Sequence, residues 1–332
     1  MQTSKLLLLP ILAAGALNAA AQSVIKIDGS STVFPVAEAL AEEFQTAQKG
    51  KTKVTVGISG TGGGFAKFCR GETDIQNASR PITVEEMATC RTANIKYYEI
   101  PLAFDALTIV VNTSNSWAAT MTMEDLKKIW EPAAQGKITK WNQVRKEWPS
   151  DNIRLYGAGS DSGTFDYFTE AVNGKAKASR GDYTGSEDDN TLVTGVSQDK
   201  NSLGYLPYAY YEPNQKKLKA VAIDAGPTSP AKKAVLPSEK TVIDGTYFPF
   251  SRPLFIYVSE AGYKKPEVKA FIDFTFKNVS ALAREVKYVP LPAKAYEMAA
   301  DNVKKNKLGT AFKGHAEIGL TVEEILKREA AL

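Results

Sequence analysis

Histidine is nearly absent from this 332-residue chain and cysteine is scarce. Beyond the first 21 residues no segment is apolar enough to span a bilayer. Each shortage excludes a class of function. The single histidine, His315, follows Lys313-Gly314 in a polar stretch and has no sequence partner for a triad; a serine nucleophile needs a neighbouring base. It reads as an ordinary surface residue. One histidine and two cysteines supply no set of ligands for tetrahedral zinc. The acidic run Ser186-Glu187-Asp188-Asp189-Asn190 lacks the spacing of a calcium loop, so it reads as a solvated turn or helix cap. No dense Lys/Arg block interleaves with aromatics, which removes a nucleic-acid footprint. No metal or cofactor is expected.

What is present begins with a leader. Lys5 precedes Leu6 to Leu9 and an alanine-rich run to Ala21, and Ala19-Ala20-Ala21 before Gln22 fits a signal-peptidase site. The apolar core is too short, and too broken by Pro10 and Gly15, to cross a membrane. No cysteine at the cleavage point offers a lipid anchor. Residues 1–21 are therefore read as a signal peptide cleaved near Ala21-Gln22, and the remainder as exported to the periplasm. That remainder has the length of two ordinary domains. In an oxidising compartment Cys69 and Cys90 are expected to form one disulfide. It closes a loop of about 20 residues and contributes on the order of 3 kcal/mol.

Strand and helix periods alternate along the chain. Val24 to Asp28 reads as a strand, Gly29-Ser30-Ser31-Thr32 as a turn, and Val33, Val36, Ala37, Leu40, Ala41 and Phe44 as one helical stripe. Ser31 or Thr32 would cap that helix, with Pro35 in its first turn. The unit recurs: strand Lys53–Ser59, turn Gly60–Gly64, helix from Phe65; a short strand Asp74–Ala78 ending in Ser79-Arg80-Pro81; strand Ile153–Tyr156, turn to Gly163, helix with Phe165, Phe168 and Val172. Such alternation predicts α/β layers with largely parallel sheets. Two apolar runs, near 105–111 and 251–258, are expected to carry the chain between lobes. Lobe 1 would comprise 22–105 and 255–332, and lobe 2 residues 112–250.

The serine- and glycine-rich turns are the candidate chemistry. A helix start presents unpaired N–H groups and the positive end of its dipole; hydroxyls and close-packed glycines complete an anion site. One such turn is unremarkable, but parallel strands bring several to one sheet edge, where ligands bind. The glycines at 60–64 lack a following Lys-Ser or Lys-Thr, so no nucleotide loop is present. Arg80, directly after a strand, could grip an oxyanion by two points. Arg252, at the second crossover, reads as hinge packing or a domain-closing salt bridge.

At these turns the sequence resembles the periplasmic phosphate-binding proteins of high-affinity phosphate ABC transporters. The carrying segments are Asp28-Gly29-Ser30-Ser31-Thr32-Val33-Phe34-Pro35, Gly60-Thr61-Gly62-Gly63-Gly64, Asn77-Ala78-Ser79-Arg80-Pro81-Ile82 and Asp161-Ser162-Gly163-Thr164-Phe165. The resemblance implies a two-lobed type II periplasmic binding protein fold with two crossover hinge strands. It implies closure on inorganic phosphate and delivery to an inner-membrane ABC permease; nothing in the sequence suggests an obligate interface, so a monomer is expected. It also implies binding by Ser31, Thr32 and the Val33 N–H, by Ser59 and Thr61, and by Ser162, Gly163 and Thr164 from the opposite lobe. Two positions depart from the best-known members: Arg80 replaces an aspartate, and Ala158 replaces an arginine. Phosphate at neutral pH keeps a proton that sulfate lacks, so the missing carboxylate matters. Asp161 and Asp105 are the expected substitutes. Alternatives are a receptor for sulfate or molybdate, a secreted hydrolase or phosphatase using Ser162, and an adhesion protein on the same fold.

Overall fold

A computed structural model describes residues 22–314 and 319–332. The expected leader (1–21) and His315 lie outside them. Strand β1 (Ser23–Gly29) pairs in parallel with β2 (Thr52–Val56) and β3 (Ile75–Ala78). Helices α1 (Phe34–Ala47) and α2 (Gly60–Phe68) separate these strands, and α3 (Val84–Thr92) follows them. The stripe read from sequence is the buried face of α1, where Phe44 meets Phe271 and Phe274 of the helix Pro266–Glu285 at 5.2 and 5.5 Å. Burying one such phenylalanine contributes roughly 1.5–3 kcal/mol.

Strand β4 (Tyr97–Asn112) is sixteen residues long and buried throughout. Its first half belongs to the sheet of β1–β3; its second half pairs with strands of another sheet. Those strands follow β5 (Thr120–Thr122) and α4 (Met123–Trp130). They are β6 (Arg154–Ala158), β7 (Thr184–Ser186), β8 (Ser202–Pro207) and β9 (Leu218–Ala220). Helix α5 (Gly163–Asn173) leaves β6, and α6 (Asp189–Gln198) precedes β8. The chain returns through β10 (Ala222–Asp224) to β11 (Ser251–Ser259), antiparallel to both β3 and β4. A short strand, β12 (Val289–Pro290), also joins β4. The result is two α/β lobes linked by β4 and β11, the expected fold.

Several local expectations shift. The strand expected near 105–111 extends back to Tyr97 and is buried throughout, its polar residues being satisfied in the interior. Glu99 accepts from Tyr257 Oη (2.6 Å), Thr310 Oγ1 (2.6 Å) and Ala311 N (2.9 Å). The glycines at 60–64 are helical, not a turn. A Cβ on Gly64 would lie 2.5 Å from Gly29 Cα, so glycine lets α2 press on β1. The cap of α1 is Val33, one residue beyond Thr32. The Cys69–Cys90 disulfide forms as expected, joining the end of α2 to α3. Among the described residues no helix is long and apolar enough to cross a membrane.

Two carboxyls beneath the C-terminal segments, Glu99 and Glu329, are buried and form no ion pair within 4 Å among the described residues. Burial raises Glu99 to about 7, against its hydrogen bonds from Thr310, Tyr257 and Ala311. Burial, then the charge of Glu99, raises Glu329 to about 8, and the Asn302 amide opposes this. Both groups hold protons more tightly folded than unfolded. Their contribution to stability is therefore greatest on the acid side and is lost as pH rises from about 4.5 to about 8. Thermal unfolding from pH 5 to 8.5 should show a falling midpoint, and Glu329→Gln should flatten it. An identical slope in the variant would contradict this coupling.

Candidate functional site

The three helix starts named from sequence converge at the seam between the lobes. Thr32, before α1, places its Oγ1 2.9 Å from Thr164 Oγ1 in the first turn of α5. Thr61, in the first turn of α2, has its Oγ1 3.0 Å from Ser79 Oγ and accepts the Ser79 N–H at 3.2 Å. All four side chains are buried. Gly163 closes the seam: a Cβ there would collide with Ser79 Oγ and Thr61 Oγ1. Gly60 does the same from lobe 1, where its positive φ of +74° and the Asp161 carbonyl pressed against it both require glycine.

The local sequence explains the convergence. The Ser30-Ser31-Thr32 turn sends the Phe34 N–H to the Ser30 and Ser31 carbonyls (3.1 and 3.2 Å). Because Val33 takes the cap position, the Thr32 hydroxyl is released from capping and faces the other lobe. The Val33 N–H donates to the Ser30 hydroxyl at 3.4 Å. On α5, Ser162 is the cap and its Oγ accepts the Thr164 N–H at 3.0 Å. Ser31 is buried in the same turn as Thr32. Ser59 differs: its hydroxyl donates to Asp28, which also holds Lys67, so that side chain is turned from the seam.

Arg252 organises the centre. It is 1% exposed. Its guanidinium donates to Asp105 through Nε and Nη2 (3.2 and 3.0 Å), to the Gly163 carbonyl at 2.7 Å and to Thr164 Oγ1 at 2.7 Å. Arg252 and Asp105 are also directly opposed in the β4–β11 ladder. Burial raises the Asp105 carboxyl above the ordinary range, while the charge and hydrogen bonds of Arg252 hold it down. Of the two readings of Arg252, the pair with Asp105 is packing within the hinge strands, and Asp105, read from sequence as a free acceptor, is the carboxylate it engages.

Arg80 also lies at the seam, but not as expected. Its two-point face is taken by Glu86 (Nη1 and Nη2, each 2.8 Å), and its Nε reaches Asp166 at 3.1 Å. Glu86 is fixed by the capping box that Thr83 makes at the start of α3. Asp161 is solvent-exposed; the chain turns there so that its backbone N–H donates to Glu187 at 3.1 Å. The acidic run at 186–190 does contain a cap, Asp188, but Asp189 beside it is buried rather than solvated.

A family profile described as "PBP superfamily domain" matches residues 15–279. The chain belongs to the PBP superfamily. Among relatives, protein SphX of Synechococcus elongatus is 51% identical over 310 residues, covering 93% of this chain and 90% of its own. Phosphate-binding protein PstS of Staphylococcus saprophyticus is 40% identical over 277 residues, covering 82% of each. Among solved structures, a possible phosphate binding protein from Planctomyces limnophilus matches at TM-score 0.65 and 46% identity, covering 86% of this chain and 99% of that one. A putative phosphate ABC transporter substrate-binding protein from Clostridium perfringens, with bound phosphate, matches at TM-score 0.66 and 25% identity over 81% and 100%.

Within this PBP-superfamily site, sequence reasoning missed Ser79, Glu86 and Asp166 as seam residues. Ser79 lay inside a quoted motif; Asp166 had no signal beyond its place in the first turn of α5. A Gly163→Ala substitution should wedge the seam at about 1–3 kcal/mol. The expected outcome is a larger radius of gyration by small-angle scattering in ligand-free and ligand-bound protein alike. Unchanged scattering would show that the lobes do not meet there.

Proposed function

We propose that this chain is an extracytoplasmic receptor that captures inorganic phosphate between its lobes and hands it to an inner-membrane ABC permease. One observation carries the reading: the hydroxyls of Thr32, Thr61 and Thr164, at helix starts from both lobes, meet within hydrogen-bonding reach of a partner at one buried seam. Phosphate-binding relatives and a phosphate-bound structural neighbour support the choice of oxyanion. Ser31, Thr32, Val33, Thr61, Ser162, Gly163 and Thr164 form the proposed binding set, and Arg252 holds the serine turn in place.

The change of sheet along β4 supports lobe 1 as 22–105 with 255–332 and lobe 2 as 112–250. The reading includes periplasmic export after cleavage near Ala21-Gln22, action as a monomer, and no chemistry on the ligand. The Ser162 hydroxyl serves as a helix cap, which suits a binding role over a nucleophilic one.

Tryptophan emission offers a direct test, since Trp130 packs on Phe168 of α5 at 5.4 Å between ring centres. Phosphate should change the emission saturably, with sulfate and molybdate competing weakly. Thr164→Val should weaken phosphate binding by about 1–3 kcal/mol with an unchanged circular-dichroism spectrum. Equal or tighter binding of sulfate or molybdate would favour the other oxyanion, and no response to any of them would overturn the receptor reading.

A further inference from the structure

Opening the lobes would treat the buried ion pairs of the seam differently. Asp105 and Arg252 stand opposite each other on the linking strands β4 and β11, so they can stay together as the lobes part. Arg80 follows β3 of lobe 1 and Asp166 stands on α5 of lobe 2, so their contact of 3.1 Å must break. Arg80 is 8% exposed and Asp166 7%. Arg284–Glu239 and Lys287–Glu212 also join the lobes, but their side chains are far more open to solvent, where such pairs contribute little.

Arg80 is held ready for this contact by its own lobe. Glu86 takes its Nη1 and Nη2, each at 2.8 Å, and the Thr83 capping box fixes Glu86 in turn. That leaves Nε for Asp166. The surroundings are acidic on both sides. A cavity of about 510 Å³ opens beside the pair, with Glu85 and Glu86 of lobe 1 and Asp166 and Glu170 of lobe 2 among its walls. Burial raises the Asp166 carboxyl above the ordinary range; Arg80 and Lys177 pull it back, and the charge of Glu86 adds to the rise. Glu86 and Asp166 therefore repel across the cleft, and Arg80 is the cation that bonds to both. We infer that Glu86, Arg80 and Asp166 form a charge latch, which biases the lobes toward closure and slows release of the ligand held at the seam. Removing Arg80 would lose a bond and leave like charges facing, and both costs fall on the closed state alone. On opening, Asp166 regains water while Arg80 keeps Glu86, so neither charge is stranded and the latch can release. The effect on release rests on the phosphate-receptor reading above; the effect on closure does not.

Arg80→Met keeps much of the side chain's bulk near the Phe65 ring and removes the charge. Small-angle scattering of phosphate-free protein should show a larger radius of gyration than wild type. Stopped-flow tryptophan emission should show phosphate leaving about tenfold faster. Adding Glu86→Gln preserves the capping box and removes the facing charge, so it should recover part of both effects, which a mere loss of packing would not allow. Unchanged scattering and release in Arg80→Met would overturn the latch, and so would a double variant no better than the single one. If phosphate affinity falls while phosphate-free scattering stays as in wild type, Arg80 acts on the ligand and not on the lobes, and the inference fails. Should Arg80→Met not fold, Asp166→Ala breaks the same bridge from lobe 2. A larger phosphate-free radius with faster release would support the latch, and the absence of both would sink it. Wild-type protein that binds no phosphate would overturn the receptor reading, and phosphate-free scattering of the variants would still decide the latch.

Discussion

Arg252 and Asp105 face each other in register on the two strands that join the lobes, and the site is arranged around that pair. Withdrawing two charges from water costs several kcal/mol per ion, recovered only when the geometry is good and the remaining donors are used. Here they are used: Arg252 donates onward to the Gly163 carbonyl and the Thr164 hydroxyl. The ion pair thereby sets the angle at which α5 presents its first turn to lobe 1. A one-residue slip of β11 against β4 would send Arg252 to the face opposite Asp105, so ladder register and site geometry are one constraint.

A second consequence is electrostatic. The guanidiniums at the seam, Arg252 and Arg80, are matched by Asp105, Glu86 and Asp166. Attraction for an anion therefore comes mainly from neutral donors, the hydroxyls and the amides at helix starts. Such donors depend on distance and direction far more than a free charge does, which favours fit over bulk charge. The weak overall net charge of +4 is in keeping with this.

Much of the fold was legible because its signals are local. The apolar stripe of α1, the Ser-Gly starts of α2 and α5, and the buried runs of β4 and β11 each follow from short-range periodicity. The seam was legible as far as Thr32, Thr61, Ser162 and Thr164, which stand on those turns. What stayed hidden was pairing across long separations. Nothing near Arg80 announces Asp166, 86 positions away, and nothing near Asp105 announces Arg252, 147 away. The glycines at 60–64 misled for the opposite reason: Gly64 is set by Gly29 and Gln76 of neighbouring strands and Gly60 by the Asp161 carbonyl, which a local turn rule does not consider.

The Cys69–Cys90 bridge spans the segment that holds β3, Ser79 and Arg80. It ties the far end of α2, whose near end carries Thr61, to the helix that carries Glu86. Oxidation thus braces two walls of the seam against each other. The same chain with the bridge reduced would have a slacker pocket, so thiol oxidation and ligand competence would mature in one step.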